Sequence, residues 1–264
     1  MGTAIAPSSA ADQVSHQFRS GDHQLVGRLA CPERIGSRGV PAVIITHGFP
    51  SRSNEELHAG RSYYDLADRV AEELSWMALA FTFRGCGASE GDFSLGGWLE
   101  DIGAAVDYLD GRDDVDGVWL AGFGTGGALS IVTAASDPRV RGVVAVAPPA
   151  DFDDWVQSPD GLLAYARHVG AIRDADFPPD LAAWEAELSD ISALRAVPGL
   201  ADRPLLVMHG GEDGVVPVFD ARLIADAHGS ADLRIISGGG HRLRFDPRAI
   251  AVFLGWLDRV AAHA

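Results

Sequence analysis

An apolar run that ends in four glycines within six residues leaves a chain few ways to fold. In Val118-Trp-Leu-Ala-Gly122-Phe-Gly124-Thr-Gly126-Gly127, the residues up to Ala121 read as a buried strand. The glycines then predict a turn too tight for side chains at 122 and 126, with unfavourable backbone angles at its corner, Gly124. A helix begins near Thr125. A strand that turns this sharply into a helix belongs in an α/β architecture, where the helix must pack back onto a sheet.

The rest of the chain repeats the alternation. Short apolar runs recur at Ala42–Thr46, Met77–Phe83, Gly117–Ala121, Gly142–Ala147, Pro204–Met208 and Leu233–Ile236, most of them separated by stretches with helical periodicity. Tyr64–Leu74, Leu99–Leu109 and the segment from Gly126 to Ala135 are the clearest helices, and Asp137-Pro138 ends the last of them. Strands alternating with helices predict a mostly parallel sheet covered on both faces. Two runs at the start, Val14–Ser20 and Gln24–Ala30, flank Gly21-Asp22 and predict an antiparallel hairpin. The expected fold is therefore α/β, with an eight-stranded, mostly parallel sheet flanked by helices.

Between Pro148-Pro149 and Pro204 the alternation breaks into helix-like pieces carrying Trp155, Tyr165 and Trp184. This predicts a helical cap, residues 150–200, inserted into a core formed by 1–149 and 201–264. The cap aromatics are expected to pack against the body more than to line a pocket. A chain of 264 residues with 47% hydrophobic content is large enough to bury one such core.

With 37 acidic against 21 basic side chains the formal charge is −16, which argues against a nucleic-acid or anionic-membrane partner. Cys31 and Cys86 are far apart and have no metal-type spacing, so neither a disulfide framework, a metal site nor any cofactor is expected. The polar N-terminus, Met1 to Asp12, has no basic segment leading into an apolar one, and no later run is apolar for long enough to span a bilayer. A cytoplasmic location is expected.

Two polar positions stand out against this frame. Asp213 lies just beyond the apolar run Leu205-Leu-Val-Met, and His241 follows Ser237-Gly-Gly-Gly, directly after the next one. An acid in the first loop can orient a histidine arriving from the second. Either residue alone would read as a turn former or a surface histidine; their joint placement after successive strands favours a shared chemical role. His47-Gly48-Phe49-Pro50 follows the first parallel strand, where the loop can aim a backbone N–H at an oxyanion. Phe49 and Thr125 would supply two such amides. His47 itself is expected to hydrogen-bond the backbone and shape this turn. The glycines also match G-x-G-x-x-G through Gly122, Gly124 and Gly127, the pattern of a dinucleotide-binding turn. That match is weak, because the turn follows a late strand and no acidic residue closes the next one.

Taken together these residues resemble the α/β-hydrolase superfamily, from about Val14 to the C-terminal helix. Phe81-Thr-Phe-Arg84-Gly85-Cys-Gly87-Ala-Ser89-Glu90-Gly91 is similar to the arginine–glycine turn after the fourth strand in bacterial members of the serine esterase and acyl-peptidase branch. The order 124, 213, 241 is that family's order of nucleophile, acid and base. The resemblance implies a nucleophile elbow at 122–126 with Asp213 and His241 as acid and base. The family's serine would stand where this chain has Gly124, so the nucleophile position is vacant. Thr125 is one residue late, with its side chain expected to point away from the elbow. Ser89 and Cys86 lie on another loop, where Cys86 reads as structural. Two functions follow as expectations. One is a hydrolase-derived protein of impaired or altered activity toward a small acyl, ester or amide-like ligand. The other is a non-catalytic ligand-binding or regulatory module.

Overall fold

The structure, a computed structural model, describes residues 16–51 and 59–261. The expected strand start at Val14 and the N-terminal segment Met1 to Asp12 lie outside the described residues. Strands β1 (His16–Ser20) and β2 (His23–Ala30) form the expected hairpin around Gly21-Asp22. Then follow β3 (Val40–Thr46), α1 (Ala59–Leu74), β4 (Met77–Thr82), α2 (Leu95–Asp110), β5 (Val115–Phe123), α3 (Thr125–Ser136) and β6 (Val140–Val146). After β6 come the short helices α4 (Asp153–Val156), α5 (Pro159–Val169), α6 (Leu181–Asp190) and α7 (Ala193–Ala196). The chain closes with β7 (Leu205–Gly210), α8 (Val218–His228), β8 (Asp232–Ile236) and α9 (Pro247–Ala261).

The strands form one eight-stranded sheet in the order β1-β2-β4-β3-β5-β6-β7-β8. The β1–β2 and β2–β4 pairings are antiparallel and all the others parallel. Its parallel part is apolar on both faces, as a strand between two helix layers must be. Along β3, Ala42 and Ile44 join a cluster with Trp98 and Ile102 of α2 and Leu129 of α3. Val43 and Ile45 point the other way, to Leu66 and Val70 of α1 and Phe253 and Leu257 of α9. Each such fully buried large side chain contributes about 1.5–3 kcal/mol relative to exposure.

Several helices differ from the sequence reading: α1 starts at Ala59, five residues ahead of the expected Tyr64, and two others are instructive. Helix α2 starts at Leu95, four residues ahead of the expected Leu99, because Ser94 caps it by accepting from the Gly97 N–H at 2.9 Å. Gly96 and Gly97 hide that first turn, since glycine carries the weakest helix preference after proline. Helix α8 was not read from the periodicity at all, although Gly229 at φ +83° ends it with the left-handed cap that marks many helix C-termini.

The segment between β6 and β7 covers the start of α2. Trp184 donates its indole N–H to the Phe93 carbonyl at 3.2 Å, and Glu187 accepts from the Gly96 N–H at 2.9 Å. Trp155 packs on Phe152, Phe49 and Phe93. Among the described residues no helix is long and apolar enough to cross a membrane.

Candidate active site

The sharp turn after β5 is built as its glycines require. A Cβ on Gly122 would lie 2.2 Å from the Gly126 carbonyl oxygen, and one on Gly126 would lie 2.4 Å from that of His47. Neither position can carry a side chain. The corner, Gly124, has φ 54° and ψ −125°, and its N–H donates to the Val146 carbonyl at 2.8 Å. Here space is not limiting. A Cβ on Gly124 would meet Gly48 Cα at 3.5 Å and His241 Nε2 at 3.7 Å, both ordinary contacts. The obstacle to a side chain is the backbone angles alone, a cost of about 1–3 kcal/mol.

His241 and Asp213 meet beside that corner. Both follow strand ends, in the loops after β8 and β7, which is where ligands bind in α/β sheets. His241 Nδ1 lies 2.9 Å from Asp213 Oδ2, with the Asp213 side chain fully buried and His241 31% exposed. The carboxylate has further donors. Its Oδ1 accepts from the N–H groups of Val215 at 2.8 Å and Val216 at 3.0 Å. His209 Nε2 lies 3.2 Å from Oδ2 and 3.0 Å from the Val216 carbonyl. Both neighbours of that nitrogen accept, so it carries the proton. Burial raises the Asp213 pKa, but the bonds from His209, His241, Val215 and Val216 outweigh it and hold the carboxyl well below the usual carboxylate range. An ionised Asp213 can only accept. The His241 proton therefore sits on Nδ1, leaving Nε2 as an acceptor facing Gly124.

The loop after β3 forms the opposite wall. His47 Nε2 accepts from the Phe83 N–H at 3.1 Å, so its proton is on Nδ1, which donates to the Gly48 carbonyl at 2.7 Å. Burial, only partly opposed by the Gly48 bond, lowers its pKa to about 4. His47 is thus a neutral brace between two loops. Phe49, the next residue but one, packs its ring on Phe93 and Trp155 at 4.7 and 5.2 Å between centroids.

The arginine–glycine turn after β4 is held from below. Arg84 donates from Nε and Nη2 to Asp101 Oδ1 at 2.9 and 2.8 Å, from its backbone N–H to Oδ2 at 2.8 Å, and from Nη2 to Ser20 Oγ at 3.1 Å. Ser89 is buried, with Oγ donating to the Thr82 carbonyl at 2.6 Å and accepting from the Val26 N–H at 2.9 Å. Burial pushes the Cys86 thiol up to about 12. Neither is a usable nucleophile in this state.

A cavity of about 550 Å³ opens over the corner, lined by Gly124, His241, Phe49, Tyr63, Phe123 and Arg244 among others. Trp155, Tyr165 and Trp184 are not among its described lining residues; Trp155 and Trp184 pack on Phe93 of the body, while Trp155 and Tyr165 also meet Phe152 and His168 of their own segment and stand behind Phe49. Of the positions singled out in sequence, Gly124, His241 and Phe49 line this cavity, Asp213 touches it through His241, and Thr125 opens α3 with its side chain buried. First-turn amides have no partner within their own helix. His209 was missed because it ends an apolar run and reads as core; its place four residues before Asp213 is the only sequence signal it offers. Arg244 was missed as well.

A family model described as the alpha/beta hydrolase family matches residues 43–253. An uncharacterised protein of Mycobacterium tuberculosis is 28% identical over 223 residues, covering 83% of this chain and 69% of that one. The putative esterase YitV of Bacillus subtilis is 27% identical over 199 residues, 72% of this chain and 74% of its own. Among solved structures, Est1E from Butyrivibrio proteoclasticus superposes with a TM-score of 0.70 at 20% identity, over 94% of this chain and 98% of that one. The hydrolase GrgF from a Penicillium species gives 0.71 at 22%, with the same coverage.

Proposed function

Since this chain belongs to the alpha/beta hydrolase family, and is related to esterases, we propose that it binds a small acyl ester or amide-like molecule over Gly124 and has no covalent route for hydrolysing it. The observation that carries this reading is the 3.7 Å between a Cβ at Gly124 and His241 Nε2. Acid, base and elbow are in register, and only the nucleophilic side chain is missing.

The chemistry left to such a site is single displacement. His241 Nε2 takes a proton from a water, the oxygen attacks the acyl carbon, and the amides of Phe49 and Thr125 stabilise the oxyanion. The imidazolium then returns the proton to the leaving group. Asp213 holds the ring and offsets its transient charge. In a serine protease, loss of the serine costs on the order of 10⁶ in turnover while roughly 10³ over water survives, so wild-type hydrolysis is slow by this reading. A purely ligand-binding role is the second reading, favoured by the same vacant corner. By this reading the protein works in the cytoplasm without a nucleic-acid or membrane partner, which its formal charge of −16 supports.

The deciding experiment is Gly124→Ser, assayed on p-nitrophenyl acetate with fluorophosphonate labelling. The expected result is no labelling of the wild type, and stoichiometric labelling of Ser at position 124 with turnover raised at least ~10³-fold. A folded variant as inert as its parent would remove the acid–base reading of Asp213 and His241.

A further inference from the structure

Arg244 has neither a carboxylate nor a carbonyl on its buried Nε. Other guanidinium groups are spent on acids, as Arg28 on Asp68 at 3.0 Å and Arg112 on Asp114 at 2.8 Å, or on backbone carbonyls, as Arg203 on those of Asp137 and Val140 at 2.9 Å. Arg244 instead lies over two rings, 5.5 Å from the Tyr63 centroid and 4.4 Å from that of Phe245. Its Nε is buried without a hydrogen-bond partner. The side chain lines the cavity over Gly124, and the described residues around that cavity include no Asp or Glu. In a chain carrying 37 acidic and 21 basic residues, a described lining without an acid around this guanidinium is a local reversal of the molecule's charge. The field is felt inside it: Arg244 is one of the groups that depress the His47 pKa.

From this we propose that the cavity selects a ligand bearing a carboxylate, received by Arg244 while the acyl group lies over Gly124. This rests on the acyl-binding reading above and adds the charge of the ligand. A buried donor left unpaired is costly, and a planar carboxylate is the acceptor that matches a guanidinium fork in geometry and charge. The two aromatic contacts fix the guanidinium plane beforehand, so little side-chain entropy is lost when the ligand arrives. The carboxylate has two possible sources. It can be a remote group on an intact ester, or the acid released by hydrolysis.

The test is calorimetric titration of the wild-type protein at pH 7.5 with monobenzyl glutarate, with benzyl glutaramate, which replaces the remote carboxylate by a carboxamide, and with 4-phenylbutyrate. Intact ester is verified after each titration. The expected result is at least a ~10-fold preference for the glutarate ester over its amide, weakened by salt. Arg244→Gln should abolish that preference. If 4-phenylbutyrate alone depends on Arg244, the bound carboxylate is the product's. Equal binding of all three ligands, or a preference that survives in Arg244→Gln, overturns the carboxylate assignment and leaves the acyl-binding reading standing. Failure of every ligand to bind at millimolar concentration overturns both.

Discussion

A Cβ on Gly124 would lie 3.7 Å from Nε2 of His241, and the other ring nitrogen of that histidine is already 2.9 Å from Asp213. The His241–Asp213 pair is thus oriented toward a corner that carries no side chain. Glycine suits the corner's backbone angles, φ 54° and ψ −125°, better than any other residue. Both Gly124→Ser and Gly124→Ala are therefore expected to lose about 1–3 kcal/mol of stability in urea unfolding. Only the serine variant should gain esterase turnover. Equal stability of both variants with the wild type would mean that the corner is relaxed in solution.

Within the Gly124→Ser background, Asp213→Asn should cost on the order of 10⁴ in kcat with little change in KM, as the corresponding change does in serine proteases. The carboxamide can offer its N–H to His241, which favours the wrong tautomer.

Under the proposed function, His209 would act only through Asp213, 3.2 Å from its Nε2, as a positioning residue. His209→Ala in the same background removes one of four donors to the carboxylate and is expected to lower kcat about 10-fold. His209→Gln, which keeps a donor, should recover most of that loss. If both substitutions have the same effect, the role of His209 is packing alone.

His47 makes stability depend on pH. Burial holds its folded pKa near 4, against an ordinary value of 6.5, so between these values the unfolded chain binds a proton that the folded one refuses. Stability is complete above pH 6.5 and falls as pH drops toward 4, by up to about 3 kcal/mol from this residue. Asp213 works in a lower window, because its stabilisation is present above the unfolded carboxylate pKa and is lost as pH falls through its depressed folded value. His16 is also lowered, so the informative quantity is a difference. Urea unfolding from pH 7 to 4.5 should show one fewer proton taken up in His47→Gln than in the wild type. Parallel pH profiles would refute the assignment.

The Arg84–Asp101 pair, with 10% and 0% side-chain exposure, is the strongest polar tie outside the site. Asp101→Ala leaves the Arg84 Nε and backbone N–H without their acceptor, while Glu100 at 2.9 Å and Ser20 at 3.1 Å still hold the other guanidinium nitrogens, and should destabilise by about 2–3 kcal/mol in thermal or urea denaturation. A loss below about 1 kcal/mol would show that water replaces the carboxylate.

Much of this architecture was legible without coordinates, for local reasons. The alternation of apolar runs and helical periodicity reports burial on two faces. The glycine spacing reports a steric limit that the structure expresses as the 2.2 Å and 2.4 Å approaches at Gly122 and Gly126. The start of α2 was not legible, because a single side-chain cap on Ser94 overrides the weak helix preference of Gly96 and Gly97.

The sequence by itself determined the sheet, the sharp turn after β5 and the glycine at its corner, since each follows from residues that are neighbours along the chain. Only the tertiary structure decided that His209 shares the Asp213 carboxylate, that His47 braces the Phe83 turn, and that Arg244 enters a cavity whose described lining holds no acid. Those relations join loops from different strand ends, and hydrogen bonds and unpaired charges across such distances leave no periodic trace in a linear chain.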